Sequence, residues 1–147
     1  MAILSHMETI RRNRLCVWLI ILGLGNFLLY AVFYQIIGGD AVNGYIKTVD
    51  GQNVYYVRGH FIHRPIGYEQ NRPRWVWIYS YIHSISIWPS IATVLLAMLA
   101  LAKPHIMATY QHGLLQGSTL VTVMATLIVI VTSIIMMIFI WEFVTSL

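Results

Sequence analysis

His83 is the ionisable side chain placed furthest inside an apolar run, and it has tyrosines at spacings that could serve it. Tyr79 precedes it by one helical turn, and Tyr30 and Tyr34 recur four residues apart in an earlier apolar run. A polar group at bilayer depth needs a partner, and such groups often mark functional sites. Three roles suit the residue. It can be a neutral histidine hydrogen-bonded to Tyr30, Tyr34 or a backbone carbonyl of another helix, which is the reading the sequence favours. It can relay protons or contact a quinone together with Tyr79. It can also ligate a metal, a haem or a chlorophyll-like pigment. No second histidine falls in any apolar run, so this chain alone offers no bis-histidine haem. His83, Tyr30 and Tyr79 are therefore the cofactor-contact candidates. The sequence requires no cofactor, and lipid or pigment is what these groups would touch.

The other chemistry-bearing residues form weaker patterns. His60-x-x-His63 has poor metal-ligand spacing, because in a strand the two rings would point to opposite faces. His105 and His112 lie in the polar stretch opened by Lys103-Pro104, where headgroup contact is the expectation. Cys16 is the single cysteine, which rules out an intrachain disulfide and a Cys-based metal site and leaves a small apolar packing residue. There is no Walker A loop, G-x-S-x-G, H-E-x-x-H, pair of intramembrane carboxylates or charged series on one helix. Nucleotide-driven transport, acyl hydrolysis, zinc proteolysis and voltage sensing have no support, no metal set is expected, and the chain reads as non-catalytic.

The elements that must position these side chains are three uncharged apolar runs, Leu15–Ile37, Val76–Ala102 and Leu114–Ile140. At about 1.5 Å of rise per residue, roughly 20 residues cross a hydrocarbon core about 30 Å thick. A chain that is 59% apolar and 10% charged is not an ordinary soluble fold. The expected class is an all-α membrane protein of three transmembrane helices, with a small extramembrane β-hairpin between helices 1 and 2. In order, residues 1–14 are a basic N-terminal segment, 15–37 helix 1, 38–75 the hairpin and loop, 76–102 helix 2, 103–113 a short loop, 114–140 helix 3 and 141–147 the tail. The first run is too long for the 7–15-residue core of a signal peptide and reads as an uncleaved anchor. The net charge of +4 implies no nucleic-acid partner, since all nine Lys and Arg lie outside the apolar runs and flank lipid headgroups. Three helices enclose little interior, so membrane lipid and other integral-membrane subunits are the expected partners.

Within residues 38–75, Tyr45–Val49 and Val54–Val57 are rich in β-branched and aromatic residues on either side of Asp50-Gly51, a hairpin turn signal. Gln52 and Asn53 could lengthen that loop, and the chain after Gly59 reads as irregular. Trp75, Trp77, Tyr79 and Tyr81 form an aromatic belt entering the second run. Tyr45, Tyr55, Tyr56, Trp75 and Trp77 are the expected interaction residues. Each apolar run also carries a polar stripe: Gly23, Asn26, Tyr30 and Tyr34; then Tyr79, His83, Ser86 and Ser90; then Ser118, Thr122, Thr126 and Ser133. Stripes of small and hydroxyl residues are where membrane helices meet. Pro89 should free the Ile85 carbonyl and kink the second helix.

The strings Gly38-Gly39-Asp40-Ala41-Val42-Asn43-Gly44, Tyr55-Tyr56-Val57 and Tyr79-Ser80-x-x-His83-x-x-Ser86 resemble a pattern shared by small bacterial inner-membrane proteins. The likeness covers about residues 30–90. It implies a bacterial inner-membrane setting and carries no activity with it.

The functional expectation is a non-catalytic integral-membrane subunit of a larger complex, respiratory or photosynthetic, that contributes helix packing and an exported hairpin for partner contact. The alternative is a redox or proton-handling membrane protein using His83 with Tyr30 and Tyr79. Basic residues on the two sides number four (Arg11, Arg12, Arg14, Lys103) against five (Lys47, Arg58, Arg64, Arg72, Arg74). Orientation then follows the cluster abutting the first span, which usually dominates, giving a cytoplasmic N-terminus with residues 38–75 and the C-terminus exported. In a Cys16→Ala background, a cysteine at Asn53 should react with an impermeant maleimide added to intact spheroplasts, while one at Gln111 should stay unlabelled. The opposite pattern reverses the topology.

Overall fold

The computed structural model describes residues 2–59, 69–111 and 116–147, with residues 2–6 described by backbone alone. The elements run α1 (Ala2–Ile37), β1 (Asp40–Val49), β2 (Gln52–Arg58), β3 (Glu69–Arg72), α2 (Arg74–Thr109) and α3 (Gly117–Ser146). Met7–Ile37, Arg74–Thr109 and Gly117–Ser146 are each long and apolar enough to cross a membrane.

The helices outrun the apolar segments. Arg11, Arg12 and Arg14 belong to α1, and α2 passes Lys103-Pro104 and stops only at Thr109, so the expected 103–113 loop shortens at its start. A proline removes one i→i−4 bond, and the Lys, Met and Ala around Pro104 are good helix formers that carry the helix across that loss. Pro89 likewise lies inside continuous helix, and its carbonyl accepts the Thr93 hydroxyl at 2.8 Å.

The extramembrane segment is larger than a hairpin. Its sheet has three antiparallel strands in the order β1-β2-β3. The first turn is tight: Val49 pairs with Gln52, and Asp50 and Gly51 both have positive φ, 51° and 76°. This is the two-residue geometry whose twist suits a hairpin. Gln52 and Asn53 therefore sit in the ladder, not in the loop, and the Thr48 hydroxyl donates to Asn53 Oδ1 at 2.9 Å. Residues 69–72, expected to be irregular, form β3 against β2, with Arg58 opposite Glu69 and Tyr55 opposite Arg72. Glu-Gln-Asn-Arg has no strand pattern of its own, so pairing with β2 decides its state. Between Asp40 and Tyr45 the β1–β2 register shifts. Here a Cβ on Gly44 would run into the Tyr56 carbonyl oxygen, which is the close backbone approach that a strand glycine permits.

Contacts divide the chain into two compact units: Met1–Gly25 with Pro89–Ile134, and Asn26–Trp88 with Ile135–Leu147. In the first, Gly23 faces Val94 and the Ser90 carbonyl so closely that a Cβ would strike the Val94 side chain. Gly117 similarly lies against the Ile106–Met107 backbone. The second unit holds the sheet and a core of Ile37, Ala41, Val57, Trp77 and Tyr81, flanked by Phe33, Ile46, Tyr55 and Phe143. The alternation of β2 explains this: Tyr55 and Val57 face the helices while Tyr56 and Arg58 face away.

At Gly51 an added Cβ meets nothing, so Gly51→Ala should cost only the left-handed backbone strain, about 1–2 kcal/mol, and leave the sheet intact. Gly44→Ala should cost more and weaken β1–β2 pairing, because the Tyr56 carbonyl must move. Thermal unfolding in detergent, with amide exchange at Ile46 and Tyr55, separates the two outcomes.

Candidate functional site

The polar groups of the second unit gather where α1 ends and α2 begins. The helix α1 closes on Gly38 and Gly39, with φ of 88° and 135°, whose N–H groups both donate to the Tyr34 carbonyl at 3.0 and 2.9 Å. The Gly39 bond is the 6→1 contact of a Schellman cap. A Cβ on Gly39 would collide with the Arg58 carbonyl, so the β2 backbone lies directly on the cap. Arg72 Nε donates to the Ile37 carbonyl at 2.9 Å, and its guanidinium also bonds Gln70 Oε1. One of the carbonyls orphaned at the helix end thus receives a cationic donor from β3.

Asp40 follows the cap immediately and is buried, with 6% of its surface exposed. Its Oδ2 accepts the Tyr30 hydroxyl at 2.9 Å, and its Oδ1 accepts the Asn43 backbone N–H at 3.1 Å and the Asn43 side-chain amide at 2.7 Å. Ser84 also lies within hydrogen-bonding reach of the Tyr30 side chain. The next residue, Ala41, donates its N–H to the buried Ser80 Oγ at 3.1 Å. Asp40 and Ser80 thereby fix the start of β1 to α1 and α2. In the sequence, Asp40 and Ser80 stand out only as members of the two pattern strings that contain them. The available signal was an Asp placed just past an apolar run and three residues before Asn, a spacing at which the side chain can hold its own turn.

His83 is half-buried. Tyr79 Oη lies 3.2 Å from its Nδ1, and the ring is hydrogen-bonded to the Asn26 backbone on α1. Tyr30 meets the imidazole edge-on, with ring centroids 5.6 Å apart, and Phe33 does so at 6.0 Å. The structure therefore brings the three cofactor-contact candidates together. It corrects one link: the Tyr30 hydroxyl, one of the partners the sequence offers to His83, goes instead to Asp40, because the start of β1 places a carboxylate at the helix end. Of the partners open to His83, the backbone of another helix is the one it finds.

The first two polar stripes do meet. Within this unit Asn26 Nδ2 donates to Ser86 Oγ at 3.2 Å, and Tyr30 lies against His83. The third stripe is a correction. Ser118, Thr122, Thr126 and Ser133 are exposed, and the buried residues of α3 are Gly117 and Thr132. The hydroxyls of Thr122 and Thr132 donate to the carbonyls of Ser118 and Ile128 one turn back, which satisfies them without a neighbouring helix.

The interaction candidates divide in the same way. Trp77 is 2% exposed and packs on Tyr55 with ring centroids 5.7 Å apart, so both serve the core. Tyr45 and Tyr56 face the other way, stacked at 4.9 Å and 18°, and Trp75 is 72% exposed. Tyr45 Oη donates to Glu69 Oε2 at 2.9 Å, which holds its phenol above the usual range, and Glu69 also pairs with Arg58 at 3.9 Å. His60, His63 and His112 lie outside the described residues. Compared with known proteins, the chain matches no family model, curated protein or solved structure.

Asp40→Ala strands the Tyr30 hydroxyl and the Asn43 amide, and should lower stability by about 3 kcal/mol, on the scale of hydrogen bonds to a charged group. Asp40→Asn should recover part of this. His83→Leu should cost less, about 0.6–2 kcal/mol, the range for interhelical hydrogen bonds in membranes. Unfolding of the purified chain in detergent ranks the three variants, and a His83→Leu loss exceeding that of Asp40→Ala would reverse their assigned weights.

Proposed function

We propose that the chain is a non-catalytic integral-membrane subunit of a larger bacterial inner-membrane complex, and that the outer face of its sheet is the surface a partner subunit covers. The carrying observation is the make-up of that face. Tyr45 and Tyr56 stack directly opposite each other in the ladder, and the Arg58–Glu69 pair lies on the same face. Tyrosine and arginine are the residue types that interfaces enrich, because they give large contact area together with a polar end. The inward polar groups support the same reading. Tyr30, Asp40, Ser80, His83 and Asn26 are bonded to each other or to neighbouring backbone and act as fasteners between helices and sheet.

A second reading rests on the Tyr79–His83 contact and on Tyr30, which joins the His83 ring to the Asp40 carboxylate. Such a row of titratable groups could move a proton or touch a quinone, haem or pigment. Purification in mild detergent with mass spectrometry and an absorption spectrum decides between them. The subunit reading expects stoichiometric co-eluting chains and no visible absorbance from this chain. A Tyr45→Ser/Tyr56→Ser variant should lose those chains at least tenfold while still folding. Bound haem or quinone on the isolated chain, with no partner lost in the variant, favours the second reading.

A further inference from the structure

A groove of about 530 Å³ opens beside the cap of α1, floored by Phe33, Ile36, Pro73 and Val76 and bounded by Trp75 and Arg72. Its volume is in the range of small-molecule sites. The floor is apolar, whereas the end nearest the sheet is cationic. Arg72 is in the wall, and Arg74, exposed as the first residue of α2, lines the adjoining cleft that shares Arg72 and Pro73 with the groove; the first turn of α2 carries no acidic side chain. Among the described residues, two of the five Arg72 N–H groups are engaged, one by the Ile37 carbonyl and one by Gln70. The positive end of the α2 dipole adds to the same field. Trp75 and Tyr79 supply the amphipathic rings that settle at headgroup level in a membrane.

We propose that this groove is a binding site for one anionic phospholipid, with an acyl chain along Phe33, Ile36 and Val76 and the phosphate at Arg72, where the groove meets the cleft that Arg74 lines. The complementarity runs along the length of the groove: hydrocarbon meets the apolar floor, and the negative headgroup meets the arginines where the floor ends. A neutral ligand would leave the arginines without a counter-charge, and a free phosphate would leave the floor uncovered. A lipid satisfies both. It also seats a headgroup against the guanidinium that closes α1, so lipid binding should tighten the sheet-to-helix junction.

The test uses the full chain in mild detergent, analysed by native mass spectrometry with phosphatidylglycerol and phosphatidylcholine of identical acyl chains. One phosphatidylglycerol per chain should be retained at a concentration at least fivefold below that needed for phosphatidylcholine. Arg74→Gln should weaken retention about fivefold, the effect of removing ~1 kcal/mol for one basic residue near an anionic surface, and Arg74→Lys should restore it. Ile36→Trp, placed at a groove residue that is exposed and outside the core, should block both lipids. Glycerol phosphate, which has the headgroup chemistry without the chains, should not compete. Equal retention of the two lipids, indifference to Arg74→Gln or Ile36→Trp, or displacement of the lipid by a second copy of the chain or a neutral quinone each overturns the assignment.

Discussion

The last turn of α1 leaves backbone carbonyls that must find donors at the point where the chain changes from helix to sheet. Tyr34 receives the N–H groups of Gly38 and Gly39, and Ile37 receives Arg72 from β3. Because the donor to Ile37 comes from the far edge of the sheet, closing the helix also sets where the third strand lies. Both glycines are needed for their positive φ, and Gly39 for a spatial reason as well, since the β2 backbone passes where its side chain would stand. Immediately after the cap, Asp40 is buried on Tyr30 and Asn43, and Ala41 is fixed to Ser80. Helix end, strand start and the entry of α2 therefore form one hydrogen-bonded joint.

That joint gives His83 its setting. The imidazole lies between α1 and α2 with Tyr79 on its own helix and the Asn26 backbone across the gap, and Tyr30 and Phe33 pack on the ring. In a hydrocarbon setting each of these groups needs a partner, and intrachain partners are present for them. A cluster so bonded serves packing first. Any proton or redox chemistry would have to work through groups that already hold the helices together. The outward surfaces contrast with this: a tyrosine–arginine face on the sheet, and beside the α1 cap an apolar groove with arginines at one end. The first offers shape and polar ends to a protein, and the second offers hydrocarbon contact and positive charge to a lipid.

Sequence alone determined the three long apolar helices and the hairpin turn at Asp50-Gly51, because each depends on local chemistry: run length and a turn dipeptide. It also named His83, Tyr30 and Tyr79 as candidates, while the packing of α1 on α2 is what sets the Tyr30 ring against His83. Tertiary structure decided the rest. Glu69–Arg72 has no strand signal and becomes one by pairing with β2. Tyr55 and Trp77 look like their neighbours Tyr56 and Trp75 in sequence, yet the sheet turns the first pair inward and leaves Trp75 exposed. The α3 stripe carries the composition of a helix contact, but its threonines can bond their own helix, so composition does not fix a neighbour. Asp40 is the clearest case. Nothing within a few residues of it reveals that Tyr30, ten positions back, will return to its carboxylate, because that contact forms only once a capped helix and a three-stranded sheet have folded against each other.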